Sequence, residues 1–197
     1  MCVIIVKPAG KPIPSEQELK VAQACNPHGC GFVSDRHSYK GLSFTKFMRE
    51  LRRVEPWETC VIHFRYATHG PVCVENCHPF CKNGIYFAHN GILPVAPLPG
   101  RTDSETAFLG YLYPAADRSG LDSEELESRV HRILGGSRFA FFRDGQLRLF
   151  GDFEQVGGYL YSNTRHLSLM DSAPQADTSG DISWESYLQL RRSYSRP

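Results

Sequence analysis

Four short clusters in this 197-residue chain carry side chains able to do chemistry. The first is Met1-Cys2: removal of the methionine would leave a thiol and a free α-amine on one carbon atom. A thiol attacks as its thiolate. An α-amine with a reference pKa of about 7.7 to 8.0 can take that proton through a water, so no histidine base is required. The second, His89-Asn90-Gly91, offers a side-chain amide and a backbone N–H in a tight turn, two donors that can face the oxyanion of a tetrahedral intermediate. Arg65, at the head of Arg65-Tyr66-Ala67-Thr68-His69-Gly70, presents a planar fork suited to a carboxylate. Asp103, in Thr102-Asp103-Ser104-Glu105, presents a counter-charge suited to an ammonium group.

Each cluster alone has an ordinary reading. Cys2 alone is a small buried residue at the start of an edge strand, and Arg65 alone a surface ion-pair residue. Asp103-Ser104 alone is a helix N-cap, and Asn90-Gly91 alone a hairpin turn. Their order changes the weighing. An amino-terminal Cys followed by an R-x-x-T-H-G loop, an H-N-G turn and a D-[ST]-E segment resembles the class II glutamine amidotransferases, and the specificity lies in the ordered combination. The resemblance covers roughly residues 2–170. Asn26-Pro27-His28-Gly29-Cys30-Gly31 and Asn76-Cys77-His78-Pro79-Phe80 also resemble family segments.

The resemblance implies an α+β fold, the N-terminal nucleophile hydrolase four-layer αββα sandwich with two antiparallel sheets. It sets a domain at residues 1–170 and leaves a polar tail at 171–197. It implies Cys2, Asn90 and Gly91 as the catalytic residues and Arg65, Thr68, His69 and Asp103 as the substrate-binding ones. Thr68 is expected near the substrate carboxylate, and His69 is expected to shape the loop rather than shuttle protons. Glutamine fits the two anchors, whereas an amide lacking either charge would leave Arg65 or Asp103 unpaired. The expected reaction is release of ammonia from glutamine through a γ-glutamyl thioester on processed Cys2, with no cofactor and no metal. Nothing after about residue 170 resembles a synthase domain, so a stand-alone glutaminase is expected to feed a separate synthetase or amidoligase. Two alternatives remain: hydrolysis of another γ-glutamyl amide or peptide, and a silent amino-acid-binding or regulatory module that keeps Met1.

The elements that must position these residues are legible in outline. Residues 2–6 read as a buried strand, and Ser15 to Ala24 as a helix with a Ser15/Glu18 capping box. Gly31 to Ser34, Cys60 to Ala67 and Ile85 to Ala88 read as strands, the last two running into the polar clusters. Phe44 to Val54, Ser104 to Tyr113 and Ser123 to Leu134 have helical spacing. Arg138 to Phe150 form a hairpin about Asp144-Gly145, and Tyr159 to Tyr161 and His166 to Met170 read as further strands. Strands at both ends with helices between them point to antiparallel sheets covered by helices rather than a doubly wound sheet.

Composition narrows the partners. Lys plus Arg (22) nearly balance Asp plus Glu (21), so no strong field favours nucleic acid or an anionic membrane. The apolar run Val3-Ile4-Ile5-Val6 is too short for a signal-peptide core or a span, which points to the cytoplasm. Seven cysteines, an odd number and all in the first half, read as reduced thiols. Cys73, Cys77 and Cys81 with His78 raise a zinc or iron–sulfur site, but the spacing and Pro71 and Pro79 speak against it.

Overall fold

Val3-Ile4-Ile5-Val6 is apolar at every position because this strand is covered on both faces. Val3 and Ile5 pack with Leu19, Phe47 and Leu51 on one side, while Ile4 and Val6 pack with Ala88, Ala140 and Phe142 on the other. In the computed structural model, which describes residues 2–171, that strand packs one face into the core between the two sheets and the other into the core under the helices. In chain order the elements are β1 (Val3–Lys7), α1 (Glu16–Cys25), β2 (Cys30–Ser34), β3 (Ser38–Gly41), α2 (Phe44–Leu51), β4 (Cys60–Phe64), β5 (Phe80–Lys82) and β6 (Ile85–Asn90). There follow α3 (Asp103–Ala107), a π-helical turn (Phe108–Leu112), α4 (Tyr113–Ser119), α5 (Glu124–Ile133), β7 (Arg138–Arg143), β8 (Gln146–Phe150), β9 (Glu154–Val156), β10 (Tyr159–Tyr161) and α6 (Arg165–Asp171).

Two sheets result, one ordered β3-β2-β4-β1-β10-β9 and the other β5-β6-β7-β8, and every pairing is antiparallel. Their facing sides interlock through Ile4, Val6, Val33 and Val61 against Ala88, Ala140 and Phe142. The outer face of the first sheet is covered by Leu19 of α1 and Phe47 and Leu51 of α2. On the outer face of the second, Phe87, Phe139 and Phe141 pack against Phe108, Leu112, Leu126 and Val130. Burying each such side chain contributes about 1.5 to 3 kcal/mol, so the layer order follows from the strands' alternation. This is the expected four-layer sandwich.

Local signals act as read in several places. Ser15 caps α1 by accepting the Glu18 N–H at 3.1 Å, half of the expected capping box, while the Glu18 carboxylate accepts the Tyr161 hydroxyl at 2.9 Å. Asp144 and Gly145 both take positive φ, 50° and 79°, as a tight hairpin requires. Other stretches differ from the sequence reading. The expected helix at Ser104 to Tyr113 is divided: Pro114 has no N–H to donate, and the Tyr113 N–H bonds Phe108 O in a π register before α4 resumes. His166 to Met170, read as a strand, lie in α6, whose first turn is fixed by the Leu167 and Ser168 N–H groups donating to Thr164 O. The short edge strands β3, β5 and β9 were not anticipated, because largely exposed edges carry little alternation. Of the tail expected at 171–197, residues 172–197 lie outside the described residues, as does Met1.

Candidate active site

The register of β1 against β4 pairs Val3 with Phe64, so the chain just before β1 meets the chain just after β4, and Cys2 stands beside Arg65 and Tyr66. The Tyr66 N–H donates to Cys2 Sγ at 3.3 Å, and the thiol reaches Tyr66 O at 3.5 Å. Burial pushes the Cys2 thiol above its ordinary value, opposed by the Tyr66 backbone bond and the charge of Arg65. The thiol therefore requires a base to become a nucleophile.

Strand β6 delivers the second cluster to the same end of the sandwich. The His63 imidazole of β4 bridges the sheets to the His89 carbonyl at 3.1 Å. The Asn90 side-chain amide donates to Ser162 Oγ at 2.8 Å, and the same oxygen accepts the Ile4 N–H at 2.8 Å. Ser162 N–H in turn donates to Ile4 O at 2.9 Å, and Asn163 Nδ2 donates to the Cys2 carbonyl at 2.8 Å. Ser162 and Asn163 thus join Cys2 and the strand that follows it to Asn90. Sequence reasoning missed both, because their link to β1 exists only through the β1–β10 pairing. Gly91 has φ +146°, and a Cβ there would collide with Ser137 Oγ, so the turn admits only glycine.

The His89 ring is held from both sides, Nδ1 by Ser104 Oγ at 2.7 Å and Nε2 by Ser137 Oγ at 3.1 Å. Burial lowers its pKa to about 4, so it is neutral at physiological pH. Ser104 Oγ donates to Asp103 Oδ1 at 3.3 Å, and Asp103 Oδ2 accepts the Leu93 N–H at 2.8 Å. Thr102, rather than Asp103, caps α3, its hydroxyl accepting the Glu105 N–H. Asp103 is among the residues lining the pocket, with one hydrogen bond already on each carboxylate oxygen.

Arg65 has work the sequence did not suggest. It is 3% exposed, and it donates from Nη1 to Pro71 O at 3.0 Å and from Nη2 to His69 O at 3.1 Å. Two of the guanidinium's N–H donors therefore hold its own loop in shape. Further along the loop, His28 Nδ1 accepts the Ala67 N–H at 2.9 Å. Gly29 and Gly31 let the Cys77 sulfur and the His78 carbonyl approach, contacts that a Cβ would block. These contacts join the two additional segments at 26–31 and 76–80.

One pocket is lined by Cys2, Arg65, Thr68, His69, Gly91 and Asp103 together. Asn90, the remaining expected site residue, lies behind that wall with its amide on Ser162. The cavity volume is about 20 Å³, little more than a water needs. Among the described residues, no group of three or more His, Cys, Asp or Glu side chains is placed to hold a metal ion. Cys77 is buried, Cys73 half-buried and Cys81 exposed. No helix of the described residues is long and apolar enough to cross a membrane.

Comparison with known proteins agrees with this fold. A family model described as class II glutamine amidotransferases matches residues 27–170. Glutamine–fructose-6-phosphate aminotransferase from Wigglesworthia glossinidia brevipalpis is 31% identical over 90 residues, 40% of this chain and 15% of that protein. The enzyme of the same name from Treponema pallidum (strain Nichols) is 46% identical over 33 residues, 17% of this chain and 5% of that protein. Among solved structures, glutamine phosphoribosylpyrophosphate (PRPP) amidotransferase from B. subtilis superposes with a TM-score of 0.58 at 18% identity, covering 87% of this chain and 44% of its own. A structure described as the allosteric regulatory enzyme of purine biosynthesis gives 0.54, also at 18% identity, over 87% of this chain and 43% of its own. The chain spans less than half the length of each of these proteins.

Proposed function

This chain belongs to the class II glutamine amidotransferases, and we propose that it is an enzyme releasing ammonia from glutamine, with Cys2 as nucleophile once Met1 is removed. The observation carrying the reading is the single pocket in which Cys2, Arg65, Thr68, His69, Gly91 and Asp103 converge.

In this reading the freed α-amine of Cys2 takes the thiol proton through a water, and the thiolate attacks the γ-carbonyl carbon of glutamine. Oxyanion charge falls on the Gly91 N–H and on the Asn90 amide hydrogen not given to Ser162. Collapse breaks the C–N bond, the α-ammonium returns its proton to the leaving nitrogen, and ammonia departs. Water then cleaves the thioester to glutamate and free thiol. The Arg65 donors that do not hold the loop take the substrate α-carboxylate, with Thr68 and His69 at the rim. Asp103 takes the α-ammonium.

The ammonia passes to a separate synthetase or amidoligase, and the reaction belongs to the cytoplasm, where the seven free cysteines stay reduced. The test is the intact mass of the expressed protein before and after 6-diazo-5-oxo-L-norleucine. Loss of Met1 with one adduct on Cys2 is expected. Retained Met1 with no adduct would overturn the reading in favour of a binding module.

A further inference from the structure

The imidazole of His89 sits inside a chain of hydrogen bonds whose direction follows from its two ends. The ring is buried, stacked on Phe87 with centroids 6.4 Å apart and meeting Phe139 edge-on at 5.3 Å. Its Nδ1 lies 2.7 Å from Ser104 Oγ and its Nε2 3.1 Å from Ser137 Oγ. Turning the ring over would set carbon against both hydroxyls, so the orientation seen is the bonded one.

Ser104 has one hydroxyl hydrogen and two neighbours for it, His89 Nδ1 and, at 3.3 Å, Asp103 Oδ1. A carboxylate oxygen only accepts. If the hydrogen goes to Asp103, His89 donates from Nδ1, and its bare Nε2 accepts the Ser137 hydroxyl. In the reverse arrangement Ser104 donates to Nδ1, the Nε2–H donates to Ser137, and Ser137 turns to the Ile92 carbonyl at 3.4 Å. Both arrangements keep the two bonds to the ring. They differ in whether the last hydrogen meets a carboxylate or a neutral carbonyl, and a bond to a charged acceptor is about twice as strong, so the first prevails. The charge of Asp103 also acts on the ring directly, favouring the N–H on the Nδ1 side.

We infer that His89 is a positioning residue acting as its Nδ1–H tautomer, turning the Ser104 hydroxyl onto Asp103 and so tying the α-ammonium anchor to the Gly91 turn. The inference rests on the glutaminase reading and deepens it. The turn lies against the other end of the ring, since a Cβ on Gly91 would come within 3.0 Å of His89 Nε2. Asp103 Oδ2 is already fixed by the Leu93 N–H at 2.8 Å, so Oδ1 is the oxygen that Ser104 sets. Burial lowers the His89 pKa to about 4, which leaves a neutral ring with one N–H to give at physiological pH.

Long-range proton–nitrogen correlation spectra of histidine-labelled protein, with His89 assigned by its loss in His89→Gln, read the tautomer directly. A protonated Nδ1 and bare Nε2 are expected, and a protonated Nε2 would overturn the inference. The second readout is the ratio of kcat/KM for L-glutamine to that for 4-carbamoylbutanoate, which is glutamine without its α-amine. Ser104→Ala should lower that preference about tenfold, whereas general damage to the site would lower both rates and leave the ratio. Ser104→Thr keeps the hydroxyl and should keep the preference. An unchanged ratio in Ser104→Ala, or an equal loss in Ser104→Thr, would overturn the inference. Absence of glutamine turnover in the unaltered protein would instead overturn the proposed reaction. The tautomer, and the preference for L-glutamate over glutarate read from melting-temperature shifts, would then decide the role of His89.

Discussion

Asn163 donates its side-chain amide to the carbonyl oxygen of Cys2 at 2.8 Å, across 161 positions of sequence. Its neighbour Ser162 holds Ile4 at N–H and C=O and accepts the Asn90 amide. Cys2 and Asn90, the proposed nucleophile and oxyanion donor, are therefore both held by one dipeptide after β10. Replacing Asn163 by Ala should lower kcat about tenfold to a hundredfold with little change in KM, since a misplaced nucleophile costs rate rather than binding. Steady-state kinetics on L-glutamine decide it, and an unchanged kcat would rule out the positioning role.

Ser162→Ala has a different expected signature. It leaves the buried Ile4 N–H and Asn90 amide without their acceptor, so stability should fall by about 1 to 3 kcal/mol together with kcat. Urea denaturation followed by far-UV circular dichroism measures the first, and glutamate release the second.

Cys2→Ala should abolish turnover while leaving the urea midpoint nearly unchanged, because among the described residues the thiol's bonds run only to the backbone of Tyr66. Retained turnover in that variant would exclude Cys2 as nucleophile.

Gly91→Ala should be both inactive and destabilised by more than about 1 kcal/mol, as the φ of +146° and the clash with Ser137 act together. Gly10, with φ +86° and open space around it, is the control: alanine there meets only the backbone strain.

Stability should decline as pH falls below neutrality. Burial lowers His89 to about 4 and His63 to about 3, against 6.5 for the free side chain. Between those values the unfolded chain binds more protons than the native one, so the derivative of unfolding free energy with pH is positive. The contribution is complete above about pH 6.5 and is lost as pH drops through the folded values, on the order of 3 to 5 kcal/mol per histidine. Urea midpoints from pH 7 to 4 should show this, and His89→Gln should flatten the profile. An equally steep profile in that variant would remove His89 as a cause.

Much of this protein can be read without coordinates. The ordered polar clusters at Cys2, Arg65, Asn90 and Asp103 identify the family. The Asp144-Gly145 turn, the Ser15 cap and the aromatic alternation of Phe139 and Phe141 mark the local elements, because each depends on residues close together in the chain. Other features existed only once strands had paired. Edge strands β3, β5 and β9 take their form from a neighbour's free N–H and C=O groups rather than from side-chain pattern, and α6 from the Thr164 carbonyl and its seat on the first sheet's outer cluster. Arg65 reads from sequence as a substrate fork, and the fold adds its grip on the His69 and Pro71 carbonyls. Asn163 and Ser162 carry no local signature at all, and reach Cys2 through the pairing of β1 with β10. Contacts between residues that far apart are set by sheet topology and packing, which no short stretch of sequence encodes.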